Sequence, residues 1–385
     1  MLEYLHSSTS FTLLPNLSQH LQFYHNTTNL PNTLRSHFPT HPRNRLPLAN
    51  GYFFSLQLIQ GHLYGTGASF FGQLGRRTNL KHWTRLQLPE PITAVVTSDG
   101  ATFLVTASGK LYASGHNSNG ELALGDNETR YEWTLVPTPS PIVTVIPGVC
   151  HTLLLTRDGK LYGTGANEGG QLGPSITQEN HTRWEEIPTS ELIISVIGCA
   201  HHNFLQGQSG TWYASGYHHL QELNMYGSGI MSVPEPVRTL VAGNKHSFLL
   251  AESGRLYACG SNHVGQLGLG HHENHYEWTL VPFVGEISMI AAVSFRSFLL
   301  TRSGKLYVTG WNEHGELGLG DKKNRCSWTL VRFPFKIASI IPGGCHSSLV
   351  TTTGEHFVTG SNKYGQLGLG DTEDRLSWTL VSPIS

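Results

Sequence analysis

One segment occurs seven times along the chain, and this repetition constrains the fold more than any other feature. The segment LYGTGASFFGQLG at 63 recurs in related form at 111, 161, 212, 256, 306 and 356, so that successive copies lie 48, 50, 51, 44, 50 and 50 residues apart. A fixed period of this length is typical of repeat architectures such as propellers and solenoids. The chain of 385 residues is therefore predicted to be one large repeat domain rather than several unrelated ones.

Each complete repeat contains four short apolar runs separated by turn residues. In the third repeat they are IVTVI at 142, HTLLLT at 151, LYGTG at 161 and RWEEI at 183. Four antiparallel strands per unit is the blade of a β-propeller, and a ring of such sheets buries each face against a neighbour. The sequence thus predicts an all-β fold, a seven-bladed β-propeller of about 50-residue repeats with four strands per blade.

Glycine and tryptophan recur at fixed places in the repeat. A turn such as Gly265–Gly270 needs positive φ or close backbone approach, and without a following helix or a Gly-Lys-Ser/Thr ending we interpret it as structural rather than phosphate-binding. Tryptophans near the end of six repeats are interpreted as blade-packing aromatics, with a ligand-stacking ring as the alternative. They are Trp83, Trp133, Trp184, Trp278, Trp328 and Trp378. The copy after Tyr213 lacks this residue, through drift or specialisation.

The two ends of the chain frame the repeats. Residues 1–42 lie outside the pattern and form a divergent N-terminal segment, whereas residues 43–385 are assigned to the propeller. The chain ends directly after the last Trp-centred run, and the first repeat opens weakly around Arg45. This offset predicts that an N-terminal strand completes the last blade and closes the ring, which would remove exposed sheet edges.

Charge and cysteine content narrow the functional classes. The formal net charge is −1, so no bulk attraction to nucleic acid or anionic membrane is expected. Five cysteines are too few for a disulfide framework and favour a reducing compartment. The N-terminus has no basic region followed by an apolar core, and no run of about 18 apolar residues occurs, so we expect a soluble chain without a secretory signal or membrane span.

The motifs of common enzyme classes do not occur. The sequence has no Gly-x-Ser-x-Gly, His-Glu-x-x-His, paired Cys-x-x-Cys or Gly-Lys-Ser/Thr, so hydrolase, metalloprotease and nucleotide-binding activities lack their usual anchors. The group His271, His272 and His275 is interpreted as a solvated loop, because no helix brings these side chains together. Neither a metal nor a cofactor is expected, and the aspartates Asp126, Asp321 and Asp371 are predicted to cap turns.

The repeat resembles the regulator of chromosome condensation repeat family. The segments Gly343-Gly344-Cys345-His346-Ser347 and GSNKYGQLG at 360 carry this resemblance, which covers residues from about 45 to 385. It implies a seven-bladed propeller. The founding member is a guanine-nucleotide exchange factor for the Ran GTPase that uses one ring face and a hairpin wedge, and other members are protein- or lipid-recognition modules. Because the longest repeat step is 51 residues, no blade shows an inserted wedge.

The resemblance also singles out the Gly-x-x-His position of the repeat, which faces the ring and helps to form the family's partner surface. Phe53 and Ala101 occupy it in two copies. The predicted partner-binding residues are the other five, His151, His201, His246, Arg296 and His346. Arg296 offers a guanidinium for an acidic loop of a partner. The alternative is that a histidine at the start of a buried strand hydrogen-bonds across blades.

Three functional hypotheses follow. The first is a monomeric, cytoplasmic or nuclear propeller that binds a Ran-like small GTPase and regulates its nucleotide state, without being a chemical catalyst. The second is a recognition or scaffold propeller without exchange activity. The third is a bacterial effector that acts in the cytosol of a host cell.

Overall fold

A computed structural model describes residues 48–173, 175, 176, 178–216 and 229–383. In these residues 28 strands form seven four-stranded antiparallel sheets, and no helix occurs. The all-β, seven-bladed propeller with four strands per blade is thus confirmed. The predicted segment 1–42 lies outside the described residues.

The first four blades follow the first four repeats. Blade 1 contains β1 (Leu48–Asn50), β2 (Phe54–Ile59), β3 (His62–Gly67) and β4 (Leu80–Arg85). Blade 2 contains β5 (Ile92–Thr97), β6 (Ala101–Thr106), β7 (Leu111–Gly115) and β8 (Arg130–Val136). Blade 3 contains β9 (Ile142–Pro147), β10 (His151–Thr156), β11 (Leu161–Ala166) and β12 (Asn180–Ile187). Blade 4 contains β13 (Ile193–Gly198), β14 (His202–Gly207), β15 (Trp212–Gly216) and β16 (Gly229–Ile230).

The remaining three blades are nearly identical in strand length. Blade 5 contains β17 (Val237–Ala242), β18 (His246–Ala251), β19 (Leu256–Gly260) and β20 (His275–Leu280). Blade 6 contains β21 (Ile287–Val293), β22 (Arg296–Thr301), β23 (Leu306–Gly310) and β24 (Arg325–Leu330). Blade 7 contains β25 (Ile337–Pro342), β26 (His346–Thr351), β27 (His356–Gly360) and β28 (Arg375–Leu380).

The four strands of each blade are called A to D in chain order, with strand A innermost. The seven A strands contact one another in a closed circle from β1 through β5, β9, β13, β17, β21 and β25 back to β1. At the closure, the Asn50 amide donates hydrogen bonds to the Ile341 carbonyl (2.7 Å) and the Ser348 hydroxyl (3.0 Å).

The predicted closure by an N-terminal strand in the last blade is wrong for the described residues. All four strands of blade 7 come from its own repeat, and β1 pairs with β2 inside blade 1. Hydrogen bonds between the complete blades 7 and 1 close the ring instead, both from the Asn50 side chain and between the backbones of the A–B turns.

Apolar side chains on both faces of each B strand form the core between blades. Phe54, Phe103, Phe204, Phe248 and Phe298 are fully buried there. One cluster runs from Ile197 of blade 4 to Leu299 of blade 6, so the apolar contacts are continuous across the seams. Burial of each such large side chain contributes roughly 1.5–3 kcal/mol, and closing the ring is what makes this burial available.

The tryptophans of strand D pack across the seams, which confirms their predicted structural role. Trp328 of blade 6 lies against Gly268 of blade 5, where a Cβ would be 2.5 Å from the indole nitrogen. Gly268 has φ of 70°, a value that favours glycine. The same contact joins Trp133 to Gly75, Trp378 to Gly318 and Trp83 to Gly368. The part of the Trp-less copy after Tyr213 that spans 217–228 lies outside the described residues, so its origin stays open.

Candidate functional site

One face of the ring carries both the A–B turns and the long C–D loops, because the strands of each blade alternate in direction. We call it the loop face, and the side with the B–C turns and D–A linkers the opposite face. Near the axis the A–B turns bond to one another through the backbone: the Val149 amide donates to Ala200 (3.2 Å), Asn244 to Ser294 (3.0 Å) and Gly344 to Gly51 (3.0 Å). The loop face is thus a connected platform around the axis.

The C–D loops are held by repeated polar caps. The Asp321 carboxylate accepts a hydrogen bond from the Lys323 amide (2.9 Å) and pairs with Arg325 (2.6 Å). Asp126 and Asp371 make the same bonds, so the predicted turn caps are confirmed. In blade 5, Nδ1 of His271 accepts from the Glu273 amide (3.2 Å) and takes the place of the aspartate. The C–D loops of blades 2, 5, 6 and 7 thus each carry a cap of this kind.

Four of the five predicted site residues lie beneath the loop face rather than on it. The side chains of His151, His246 and His346 are 0% exposed, and Arg296 is 1% exposed. Each is the first residue of a B strand. His201 lies in the A–B turn of blade 4 and is partly exposed.

The register of two copies differs from the sequence prediction. In blade 4 the residue that begins the B strand is His202, not His201, and in blade 1 it is Phe54, not Phe53. Two adjacent histidines, and two adjacent phenylalanines, made the register ambiguous in the sequence. His202 is 2% exposed and belongs with the buried group. We call His151, His202, His246 and His346 the seam histidines.

The seam histidines form hydrogen bonds between neighbouring blades. The Nε2 atom of His246 lies 2.9 Å from the Ser297 hydroxyl of blade 6. His151 meets Asn203 at 3.0 Å and His346 meets Ser55 at 2.8 Å. The structural interpretation of these histidines, bonding across blades, is thus observed. A role of these histidines in partner binding stays a prediction. Because they are buried, such a role would be limited to shaping the A–B turns of the loop face.

Burial also keeps the seam histidines neutral. Desolvation lowers the pKa of His246 to about 3, because the imidazolium form loses its hydration in the core. The same cause lowers the pKa of His151 to about 4 and that of His202 and His346 to about 3. The histidines therefore bring no positive charge to the loop face near neutral pH.

Arg296 closes the seam between blades 6 and 7 with a charged group instead. One guanidinium nitrogen donates to the carbonyls of Gly343 (2.5 Å) and Gly344 (2.7 Å) in blade 7, and another lies 3.1 Å from Oε1 of Glu316, whose side chain is 1% exposed. The guanidinium is thus paired inside the chain, and its pairing with an acidic loop of a partner stays a prediction. An arginine suits this place because its planar fork serves several acceptors at once.

Two partly buried thiols and a tyrosine in the A–B turns are held in their protonated forms. Desolvation raises the pKa of Cys345 and of Cys150 to about 12, and it raises the pKa of Tyr52 well above its usual value. Residues 48–173, 178–216 and 229–383 bring together no group of three or more His, Cys, Asp or Glu fit for a metal ion. The raised pKa values also mean that these thiols are not activated as thiolates near neutral pH.

The exposed groups of the loop face are aromatic and charged residues that the sequence analysis did not select. Trp311 and Phe295 lie together in blade 6 with ring centroids 6.4 Å apart, and Lys245 is exposed on the A–B turn of blade 5. At the seam of blades 7 and 1, Phe70 is 44% exposed and its ring centroid lies 4.9 Å from that of Tyr364. For Phe70 the available signal was an aromatic residue in a loop position that is polar in five other repeats.

Comparisons with known proteins agree with this architecture. The family model described as RCC1-like domain matches residues 25–340. The crystal structure of human WBSCR16 is similar with a TM-score of 0.74 at 20% identity, covering 84% of this chain and 94% of that one. Prp20p from Saccharomyces cerevisiae gives a TM-score of 0.72 at 19% identity, covering 88% and 87%. Comparison with curated proteins gives no significant match.

The likeness to solved structures shows the fold, and the family match identifies the lineage. None of the described residues forms a helix that could cross a membrane. With seven complete blades in the described residues and a family match over residues 25–340, the chain belongs to the RCC1-like domain family.

Proposed function

We propose that this propeller binds a Ran-like small GTPase through its loop face and promotes release of the bound nucleotide. The observation that carries the proposal is the match to the RCC1-like domain family, whose founding member acts on Ran. The solved structure of yeast Prp20p is reported together with its binding properties to Gsp1p and histones.

The geometry of the loop face suits this role. Nucleotide exchange needs no nucleophile, because a factor that favours the nucleotide-free GTPase weakens nucleotide binding by reciprocal coupling. A pre-formed platform loses little conformational entropy on binding, and the bonded A–B turns and capped C–D loops provide one. A partly exposed aromatic side chain such as Trp311 beside an exposed charge such as Lys245 is typical of protein interfaces.

One observation favours a second candidate, a recognition propeller without exchange activity. All 28 strands of the described residues belong to blades, so these residues contain no extra hairpin of the kind that the founding member inserts as a wedge. Binding and exchange are therefore tested separately.

The test measures release of a fluorescent GDP analogue from purified Ran with increasing amounts of this protein. We expect release to accelerate, and we expect Lys245→Glu and Trp311→Ala each to weaken the effect by about tenfold, as for central interface residues. Phe335→Ala is the matched control, because Phe335 is 46% exposed on the opposite face and its loss leaves the loop face unchanged.

Two outcomes separate the candidates. Binding of Ran in a titration, without faster release of GDP, supports the recognition propeller and rejects exchange. Absence of both binding and faster release at micromolar concentrations rejects the GTPase as partner.

A further inference from the structure

We propose that the loop face carries, at the seam of blades 7 and 1, a binding site for an acidic peptide segment that contains an aromatic or large aliphatic residue. The site is called the seam patch and consists of Phe53, Phe70, Lys81, Lys363 and Tyr364. The proposal goes beyond GTPase binding, because it assigns a distinct ligand that is tested as an isolated peptide.

Phe70 departs from the pattern of its own repeats. In five other blades the equivalent loop position is polar and exposed, with the residues Ser118, Glu168, His263, Glu313 and Lys363. Phe70 is 44% exposed at this position. A large apolar ring at a loop tip that is otherwise solvated adds nothing to the core, and covering it with a partner's apolar group is favourable by burial.

The rings around Phe70 form an open cluster rather than an isolated side chain. The centroids of Phe70 and Tyr364 are 4.9 Å apart with the planes at 89°, and those of Phe53 and Tyr364 are 5.0 Å apart at 71°. Phe53 and Tyr364 remain partly exposed. Three rings from the two blades thus offer one continuous apolar surface that accepts a side chain of a peptide.

The loop of blade 1 also lacks the acidic cap of its counterparts. Asn79 accepts from the Ser69 amide as Asp374 accepts from the Asn362 amide, which aligns the two loops. Between these points blade 7 contains Asp371, whereas the sequence of blade 1 from residue 75 is GRRTNLK. The arginine that pairs with the aspartate in blades 2, 6 and 7 is replaced by Leu80.

Two exposed lysines lie beside the rings. Lys363 lies 5.6 Å from the ring centroid of Tyr364, and the backbone of Lys81 lies against Gly365, the neighbour of Tyr364. Within the described part of the chain, the salt bridges include neither of these lysines. Cations beside an apolar cluster complement carboxylates that flank an apolar residue.

The ring geometry favours a peptide over single-stranded nucleic acid. Bases stack on open ring faces, whereas these rings meet edge to face and Lys363 lies over Tyr364. The net charge of −1 also gives no long-range attraction to a polyanion.

The experiment titrates three fluorescein-labelled decapeptides and a decameric uridine RNA into the full chain and measures anisotropy. The first peptide has aspartates and glutamates around a central phenylalanine, the second has serine in place of the phenylalanine, and the third has lysines in place of the acidic residues. We expect only the first to bind, with affinity that falls as salt rises because exposed charges are screened.

Variants locate the site. We expect Phe70→Ala and Lys363→Glu each to weaken binding of the first peptide by about tenfold, with unchanged melting temperatures because both side chains are exposed. Phe335→Ala and Lys305→Glu, on the opposite face, are the matched controls and should have no effect.

Three results would overturn the proposal: no binding of the first peptide at about 1 mM, equal binding of the serine peptide, or tighter binding of the RNA that depends on Phe70. A Ran exchange assay with Phe70→Ala keeps the two proposals apart, since peptide binding is scored without the GTPase.

Discussion

The seam between blades 5 and 6 and the seam between blades 6 and 7 solve the same problem with different chemistry. At the first, the neutral His246 meets the Ser297 hydroxyl; at the second, the charged Arg296 meets two backbone carbonyls and Glu316. Both side chains begin a B strand and are buried. In five of the seven blades this position holds a polar group that reaches the next blade, and the identity of that group decides how the seam responds to acid and to mutation.

The residue of the C–D loop that accompanies this side chain also differs between the two blades. Blade 5 has Gln266 where blade 6 has Glu316, so the carboxylate accompanies the guanidinium and the neutral amide accompanies the imidazole. A buried charge without a counter-charge is costly, which explains why the two replacements occur together. The arginine seam is thus a coupled pair rather than a single substitution.

The largest expected effect is a pH dependence of the unfolding free energy, which distinguishes the histidine seams from the arginine seam. Each seam histidine has a pKa of about 3 or 4 in the folded chain, below its ordinary value of 6.5, so the unfolded chain binds more protons between these values. The stability that the neutral histidines contribute is complete above pH 6.5 and is lost as the pH falls toward 3. As the pH falls through this window, each seam histidine should lower the unfolding free energy by about 1.4 kcal/mol per pH unit.

Urea unfolding at pH 7.5, 6 and 5 checks this expectation. The unfolding free energy should fall less steeply with decreasing pH in the variant His246→Gln, because this substitution removes one titrating group from the core. Unfolding free energies that stay constant down to pH 5 would contradict the assignment of neutral, buried seam histidines.

The next largest effect concerns the charged seam. Arg296→Ala leaves the Glu316 carboxylate buried without its partner and removes the donor for two carbonyls of blade 7. Breaking a buried pair in this way should cost about 3–5 kcal/mol of unfolding free energy. Urea denaturation at pH 7.5 measures the loss.

A double variant sharpens the comparison. Arg296→His combined with Glu316→Gln converts the charged seam into the histidine type found in blades 3, 5 and 7, which have glutamine at the equivalent position, and should recover most of the lost stability. If the double variant is as unstable as Arg296→Ala, the two seams are not interchangeable and the shape of blade 7 requires the arginine.

The propeller fold could be predicted from the sequence, because the period, the four apolar runs per repeat and the tryptophan positions are all properties of a repeat that folds against its neighbours. It could not show where the ring closes, since the closure at Asn50 depends on contacts between residues about 290 positions apart. It could not separate His201 from His202 either, because one residue of register moves a side chain from a strand to a turn.

The exposed surface was the least predictable part. The family resemblance pointed to the Gly-x-x-His position, yet four of the five residues predicted there are buried beneath the loop face. Phe70 and Tyr364 resembled ordinary loop aromatics in the sequence, and only the structure shows that their rings lie together. Comparison of equivalent loop positions within the chain would have exposed the unusual character of Phe70. Repeats thus provide an internal reference that motif searches do not use.

The smallest expected effect concerns the uncharged seam. His246→Ala removes one hydrogen bond and leaves a small void, but the Ser297 hydroxyl keeps its bond to the Gln266 carbonyl (2.7 Å) and no charge is left without a partner. The unfolding free energy should fall by about 2 kcal/mol, roughly half the loss at Arg296, in urea denaturation at pH 7.5. The exposed His272→Ala is the control and should change it by less than about 0.5 kcal/mol. A loss at His246 equal to that at Arg296 would show that filling the seam, rather than the charge of the group that fills it, determines its strength.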